Sequence, residues 1–435
     1  MKNSYPKIAG KTAAAVMLPR PLRVFWILNV FLMATCAAIM ATNRFLLHKA
    51  PPYTSPFFPQ SDWNDLLCFA TRFQYFHRLD FFSEALSHGH RFMYPAPVAL
   101  LYEGFYFSHW HTVWIFFAVT GPLVLALGAT LGRQMVRRGV HPWTTILFLS
   151  SALLISYPFW FEYLLGNMEI CIFLIVAFGI IAFLRGHLVL SATLIGIAAS
   201  MKAFPFVYLA LFLSRRRYKA FAWGIATAVI ANIVSLWLVC PSLPVAYRGI
   251  RSGLATFQRV HMLMYLPYQT AFDHSIFGLI KAFGHHFYGW TVPVSLLNGY
   301  LAVAAALGLA LYIFRIRFLP ILNQILCLCI ASILLPPTSY DYTLLHLYVP
   351  WGLMVLYAID LAKAKRSPQG LYSVFVCFAI LMSAESELIY KAPGNANPHG
   401  YSGQLKAITL VVLLVIGLIR PFEFRTRDRV VAGLS

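Results

Sequence analysis

The residues whose types suit chemistry are polar side chains placed where long apolar segments end. Asp62 and Asp65 follow the first of these segments. A carboxylate can accept a proton from an attacking hydroxyl, as general-base catalysis requires. An aspartate can equally cap the start of a helix, and one residue can do both. Each of the two aspartates is therefore a candidate base or cap.

A second group of polar residues lies between and within later apolar segments. Gly166-Asn167-Met168-Glu169 separates two such segments, where Asn167 and Glu169 could bind sugar hydroxyls or form a tight turn with a helix cap. Lys202 lies inside an apolar run, where a lysine is costly and needs an anionic partner. That partner is either a lipid phosphate or a protein carboxylate. The nearby carboxylates are Glu162, Glu169 and Asp341.

Further candidates occur late in the chain. Asp341 and His346 follow Pro336-Pro337 at the ends of two apolar segments, and they could line one cavity with the first loop or belong to a proline-driven turn. Arg259, in a basic region between spans, is a candidate phosphate ligand. His285-His286 lacks a carboxylate at ligand spacing, so we predict no metal site.

The elements that must position these groups are membrane helices. The chain is 60% hydrophobic and 11% charged, with a mean hydropathy of +0.70, whereas soluble domains carry about 25% charged residues. We predict one integral-membrane domain over 1–435, an all-α transmembrane bundle of about eleven spans. The spans are placed near residues 22–42, 111–131, 142–160, 168–184, 188–213, 220–240, 291–314, 318–336, 342–362, 371–390 and 405–420.

The distribution of charge predicts the topology. The formal net charge of +20 would suggest nucleic acid in a soluble protein, but here Lys and Arg accumulate in loops that stay in the cytoplasm. No nucleic-acid partner is expected. We predict a multi-pass protein of the plasma (inner) membrane with a cytoplasmic N-terminus. Regions 43–110 and 241–290 then lie outside, and the aromatic content of the first predicts interfacial helices.

Segment 188–213 departs from the simple alternation of spans. Arg185 precedes it and Arg215-Arg216-Arg217 follow it, so both ends are assigned to the cytoplasm. Midway lie Lys202 and Pro205, residues that interrupt an apolar helix. We predict a re-entrant hairpin of two half-helices that meet near Lys202.

Several of these motifs together resemble one group of membrane enzymes. They are Asp65 to Phe69, Tyr94 to Pro97, Gly166-Asn167, Lys202-Ala203-Phe204-Pro205 with the basic cluster after it, and Ser339 to Tyr342. In this order they resemble the GT-C superfamily of membrane glycosyltransferases. More narrowly, they resemble glycosyltransferase family 87, whose members use polyprenol-phosphate sugars.

The resemblance implies a bundle of GT-C type and a specific reaction. A mannose-like hexose would pass from a polyprenyl-phosphate sugar to a hydroxyl of a glycolipid or glycan at the outer face. The reaction would invert the anomeric configuration and would use no cofactor. Membrane lipids would surround the protein. Asp65 would be the base by its spacing, with Asp62 as second choice, although Phe69 stands where a tyrosine is commoner. The expected substrate-binding residues are Lys202, Asn167, Glu169, His346, Asp341 and Arg259.

Two other classes of function remain open at this point. A transporter or flippase of a lipid-linked or anionic solute also has broken helices and intramembrane charge, but it often has paired broken segments in two halves. A non-catalytic membrane scaffold has no reason to gather Asp65, Lys202 and His346 around one cavity.

Overall fold

The computed structural model of the protein describes residues 17–46, 48, 64–84, 91–106, 109–289, 291–368, 370–383 and 402–423. Within these ranges the chain forms eighteen α-helices, joined in places by short 3-10 or π-helical turns, and no β-strand. This confirms the predicted all-α class. The helices are α1 Arg20–Ala41, α2 Asn64–Ala70, α3 Ala96–Phe105, α4 His109–Arg137, α5 Pro142–Leu154, α6 Tyr157–Leu165, α7 Glu169–Leu184, α8 Leu188–Met201, α9 Ala210–Ser214, α10 Tyr218–Val239, α11 Leu243–Phe257, α12 Pro267–Phe272, α13 Ile276–Tyr288, α14 Val294–Phe314, α15 Ile321–Leu334, α16 Tyr348–Lys363, α17 Leu371–Leu381 and α18 Ser402–Ile419.

Six helical segments of the described ranges are long and apolar enough to cross a membrane. Each contains a window whose mean hydropathy is at least 1.5, and each approaches the length of about 20 residues that a bilayer requires. They confirm a polytopic membrane protein. The segments are Arg20–Ala41, His111–Arg137, Tyr218–Val239, Val294–Phe318, Asp341–Lys363 and Ser402–Ile419.

The predicted span at 142–160 is a broken one that continues to Leu165. α5 and α6 are bent by 50° at the two residues between them. Pro158 lies in the first turn of α6. A proline fits there because the N–H that it lacks would have no partner within the helix, but it cannot continue a preceding helix. The bend follows from that position.

Shorter apolar helices fill the centre of the bundle. Most residues of α7 and of α15 are buried, and a helix that is apolar on all sides is stable only when neighbours surround it. α17 covers the first part of the predicted span at 371–390, and residues 384–390 lie outside the described ranges.

Segment 188–214 is a hairpin. α8 ends at Met201, and the backbone of Lys202 is extended, with φ −141° and ψ 148°. A Cβ on Gly224 of α10 would lie 2.6 Å from Leu209 and 3.3 Å from the carbonyl oxygen of Ala192. An uninterrupted helix would separate Ala192 and Leu209 by about 25 Å, so the chain turns back. The predicted break and reversal are confirmed.

The two ends of the bundle are distinguished by these reversals. We call the end where Glu169 begins α7 and Lys202 follows α8 the upper end, and the end with Arg185 between α7 and α8 the lower end. Ser214, at the end of the hairpin, bonds Gln324 at 2.7 Å. Gln324 lies in the first turn of α15, whose far end leads back towards the upper end, so both ends of the hairpin lie at the lower end.

Candidate active site at the upper end of the bundle

The site is built on the turn between α6 and α7. Gly166 has φ +64°, a left-handed conformation that glycine adopts without the steric cost of a Cβ. The side-chain oxygen of Asn167 accepts a hydrogen bond from the Glu169 N–H at 3.0 Å. The Glu162 carboxylate accepts one from the Ile170 N–H at 3.2 Å. Both side chains thus cap the first turn of α7, whose N–H groups have no partner within the helix.

This cap sets the orientation of the Asn167 amide. Because its oxygen accepts from α7, its nitrogen points the other way, and it donates to Asp65 Oδ2 at 2.7 Å. Asn167 is buried, whereas Asp65 is half-buried. The turn between two core helices therefore holds a carboxylate of the first loop in place.

An aromatic cluster anchors the helix that carries Asp65. The ring of Phe69 lies 5.2 Å from that of Tyr94 and 5.1 Å from that of Tyr102. Residues four positions apart share a helix face, so the packing of Phe69 determines where Asp65 points. Nearby, the buried guanidinium of Arg72 donates to the carbonyl oxygen of Phe81 at 2.8 Å, and its burial lowers the pKa of Arg72.

Glu169 joins two basic side chains at the centre of the site. One of its oxygens pairs with the Lys202 ammonium, and the other accepts a hydrogen bond from His346 Nε2 at 2.7 Å. A carboxylate only accepts, so Nε2 carries the proton. The His346 ring is packed edge-on against Phe204 of the hairpin at 4.7 Å and Phe173 of α7 at 5.9 Å.

Lys202 also lies between two aromatic rings. Its Nζ is 4.5 Å from the ring centre of Tyr342 and 5.7 Å from that of Tyr94, distances typical of cation–π contacts. Burial raises the pKa of Tyr94 well above its usual range, so its phenol stays neutral. The Lys202 side chain is 16% exposed, whereas those of Glu169 and His346 are 0% exposed. Among these three, Lys202 is the one that a ligand can reach.

Most of the residues proposed from sequence meet at this site. Arg259 is exposed, and within the described residues no ion pair joins it to the cluster. Asp62 lies outside the described ranges. Within those ranges, no three His, Cys, Asp or Glu side chains converge as metal ligands. The residues that meet are Asp65, Asn167, Glu169, Lys202 and His346.

Asp341 is bonded to other buried side chains, on the side of the Asp341–Leu347 turn that faces away from Glu169. It is fully buried, with Oδ2 2.9 Å from Lys406 Nζ and Oδ1 3.4 Å from His274 Nδ1. His274 Nε2 in turn contacts Thr343 Oγ1 at 3.0 Å. These contacts fasten α18 and the segment before α13 to the 3-10 turn at Asp341–Leu347.

Sequence reasoning did not find every member of these two clusters. Lys406 stands near the start of the last apolar segment, and the rule that singled out Lys202 applies to it equally. His274 gave no such signal, because a histidine in a long loop has many uses. Tyr94 and Tyr342 belonged to recognised motifs, but their motifs do not indicate that the rings flank an ammonium.

The comparison with known families fits this geometry. The family model of glycosyltransferase family 87 matches residues 92–337, more than half of the chain. Asn167, Glu169 and Lys202 lie inside the matched region, whereas Asp65 precedes it and His346 follows it. No curated protein matches the chain.

Proposed function

The chain belongs to glycosyltransferase family 87, and we propose that it moves a mannose-like hexose from a polyprenyl-phosphate sugar to a hydroxyl of a glycolipid or glycan at the outer face of the plasma membrane. One observation carries the proposal: Asp65 and the Lys202–Glu169–His346 trio meet around the first turn of α7. Transfer from a lipid phosphate needs a base for the acceptor and a cation for the leaving phosphate.

In the proposed mechanism Asp65 is the general base. It takes the proton of the acceptor hydroxyl as the hydroxyl oxygen attacks the anomeric carbon. The bond from that carbon to the phosphate oxygen breaks, and polyprenyl phosphate leaves with the electron pair, so the configuration inverts. Asn167, which donates to Asp65 Oδ2, keeps the carboxylate oriented. Asp62 is the second choice as base.

Lys202 is the proposed ligand of the donor phosphate. Its ammonium has three N–H groups, one of which goes to Glu169, and its side chain is partly exposed. The phosphate gains charge as the glycosidic bond breaks, so a cation stabilises the transition state more than the ground state. Glu169 and His346 hold Lys202 and complete the substrate site, and Arg259 is assigned a peripheral role for the phosphate.

The distribution of charge supports the orientation. Arg185, Arg217 and Lys363 lie at the lower end, which we assign to the cytoplasm because basic residues are retained there. Cys36, late in α1, lies with Tyr157 near the upper end. α1 therefore starts at the cytoplasmic side, and the site opens to the outside.

A transporter or flippase is the alternative function. Within the described residues two segments are broken, 142–165 and 188–214. Both lie in the first half of the chain, whereas inverted repeats place such segments at corresponding positions of two halves. We therefore favour the transferase.

The test is transfer by the purified protein. Reconstituted in liposomes with radiolabelled polyprenyl-phosphate mannose and a membrane extract as acceptor source, it should release polyprenyl phosphate in step with labelled product. Polyprenyl-phosphate glucose serves as the comparison donor. Label that crosses the bilayer without product would instead support the flippase.

Asp65→Asn tests the base. Transfer should fall by about 10²–10⁴-fold, the range for a lost general base, while donor binding stays close to that of the wild type. Asp80→Asn is the matched control, because Asp80 lies in the same loop and pairs at the surface with Arg78. A fully active Asp65→Asn protein excludes Asp65 as the base, and an inactive Asp62→Asn protein in its place moves the role to Asp62.

A further inference from the structure

A large cavity and a smaller one adjoin along α4. The large cavity has a volume of about 920 Å³ and lies between α4 and the α5–α6 pair. The smaller cavity has a volume of about 140 Å³ and lies between α4, α7 and α16. Val124, Gly128, Leu149, Leu153 and Phe159 line both, and we call the combined space the α4 groove.

The α4 groove is apolar and opens to the surroundings of the bundle. Large apolar residues on its rim are exposed, among them Leu125 at 67% and Leu154 at 64%. Its floor on α4 includes Gly121, Gly128 and Gly132. A Cβ at Gly128 would lie 3.1 Å from Leu153, and one at Gly132 would lie 3.2 Å from Leu149. A Cβ at Gly121 would have no atom within 4 Å. Such a surface suits a hydrocarbon chain.

The groove runs the length of a bilayer. At one end the ring of Phe117 stacks on that of Tyr163 at 5.0 Å. Tyr163 lies three residues before Gly166, so this end of the groove is at the upper end of the bundle. At the other end lie Arg133 and Arg137. From Phe117 to Arg137 the helix rises by about 30 Å, which equals the thickness of a hydrocarbon core.

Charge is confined to the lower end of the groove. Arg133, Arg137 and Arg185 line it there, and all three are exposed. None of them forms an ion pair within the described residues. Their neighbour Arg138 differs, because it is buried and pairs with Asp360 at 2.9 Å. The lower end thus offers unneutralised guanidinium groups, which bind phosphate oxygens well.

We propose that the α4 groove binds an anionic phospholipid from the leaflet at the lower end. Its phosphate pairs with the arginines, and its acyl chains extend along the apolar wall towards Tyr163. A polyprenyl phosphate with its headgroup at the upper site would place an apolar tail among Arg133, Arg137 and Arg185, so charge complementarity favours the phospholipid. The inference does not depend on the proposed transfer reaction.

The experiment measures lipid binding by delipidated, detergent-purified protein, using native mass spectrometry and the shift in thermal unfolding. Phosphatidylglycerol should bind more tightly than phosphatidylcholine. Arg133→Gln/Arg137→Gln should weaken phosphatidylglycerol binding about thirtyfold, because each basic residue near an anionic lipid surface contributes about 1 kcal/mol of binding free energy. Arg217→Gln/Lys219→Gln, which changes exposed residues outside the groove, should leave binding within about twofold.

A second pair of variants tests the apolar wall. Gly121→Leu fills the groove and should abolish binding of phosphatidylglycerol while all the arginines remain. Gly299→Leu on α14 is its control, since a Cβ there also has no atom within 4 Å and the residue lies outside the groove.

Three results would overturn the proposal. The first is equal affinity for phosphatidylglycerol and phosphatidylcholine. The second is unchanged phosphatidylglycerol binding in Arg133→Gln/Arg137→Gln. The third is preferential binding of polyprenyl phosphate in the groove, lost in Gly121→Leu and in Lys202→Met but kept in the arginine variant, which would assign the groove to the donor lipid.

Discussion

The ion pair between Lys202 and Glu169 allows a quantitative test of the charge balance in the site. Glu169 is fully buried and Lys202 is 16% exposed, so removal of either leaves the other in an apolar environment. Lys202→Met leaves Glu169 its bond to His346. Glu169→Gln leaves the Lys202 ammonium with the aromatic rings of Tyr342 and Tyr94 and an amide.

The magnitudes follow from these remaining contacts. Removal of one partner of a buried ion pair costs about 3–5 kcal/mol, and we expect Glu169→Gln to fall in that range. Lys202→Met should cost less, about 2–3 kcal/mol, because His346 still donates to the carboxylate. The double variant removes both charges, so no uncompensated charge remains buried. Its cost should therefore be smaller than the sum of the single costs by about 2–3 kcal/mol.

Equilibrium unfolding in mixed micelles, followed by tryptophan fluorescence during an SDS titration, measures the four free energies. Arg78 and Asp80 form the control cycle, because their side chains are 58% and 29% exposed and a surface pair couples by about 0.2–1 kcal/mol. If the costs of Lys202→Met and Glu169→Gln simply add, the two side chains do not stabilise each other and the argument from burial is refuted.

Three other variants test two parts of the site and the membrane topology. Asn167→Ala removes the 2.7 Å bond to Asp65 and should lower kcat about ten- to hundredfold with little change in donor KM; an unchanged kcat would show that Asp65 needs no such support. Lys406→Met leaves the buried Asp341 without its ammonium partner and should lower the free energy of unfolding by about 3–5 kcal/mol in the same SDS titration; a cost below about 1 kcal/mol would contradict the pairing. Ser83→Cys, in an exposed part of the first loop, should react with an impermeant maleimide in intact cells; labelling only after lysis would invert the topology.

The membrane helices could be predicted because hydropathy reports the bilayer directly. A helix that crosses lipid must be apolar over about 20 residues, whatever its neighbours. The reversal within 188–214 could also be predicted, since basic residues stand at both of its ends and Lys202 and Pro205 lie between them. The bend at α5–α6 was missed, although Pro158 supplied a signal for it. A proline ten or more residues into an apolar run indicates a break in the helix, as Pro205 does.

The choice of ionic partners could not be predicted from sequence. Glu162, Glu169 and Asp341 are equally plausible partners of Lys202 when only their positions along the chain are known. The packing of α7 against α8 makes Glu169 the partner of Lys202. Glu162 instead caps α7, and Asp341 pairs with Lys406. Such choices depend on rotations of neighbouring helices by a few tens of degrees, and hydropathy carries no record of those rotations.

The 3-10 turn at Asp341–Leu347 links the two charged clusters and gives α18 an influence on the site. On one side of the turn, His346 bonds Glu169 and Tyr342 faces Lys202. On the other side, Asp341 pairs with Lys406 of α18. Asp341, Tyr342 and His346 belong to one 3-10 turn of seven residues, so a displacement of Asp341 should also shift the other two. The position of His346 beside Glu169 therefore depends on α18, a helix that follows the family match and supplies no residue to the proposed chemistry. Loss of Lys406 should then reduce transfer by displacing His346 and Tyr342, even in molecules that remain folded.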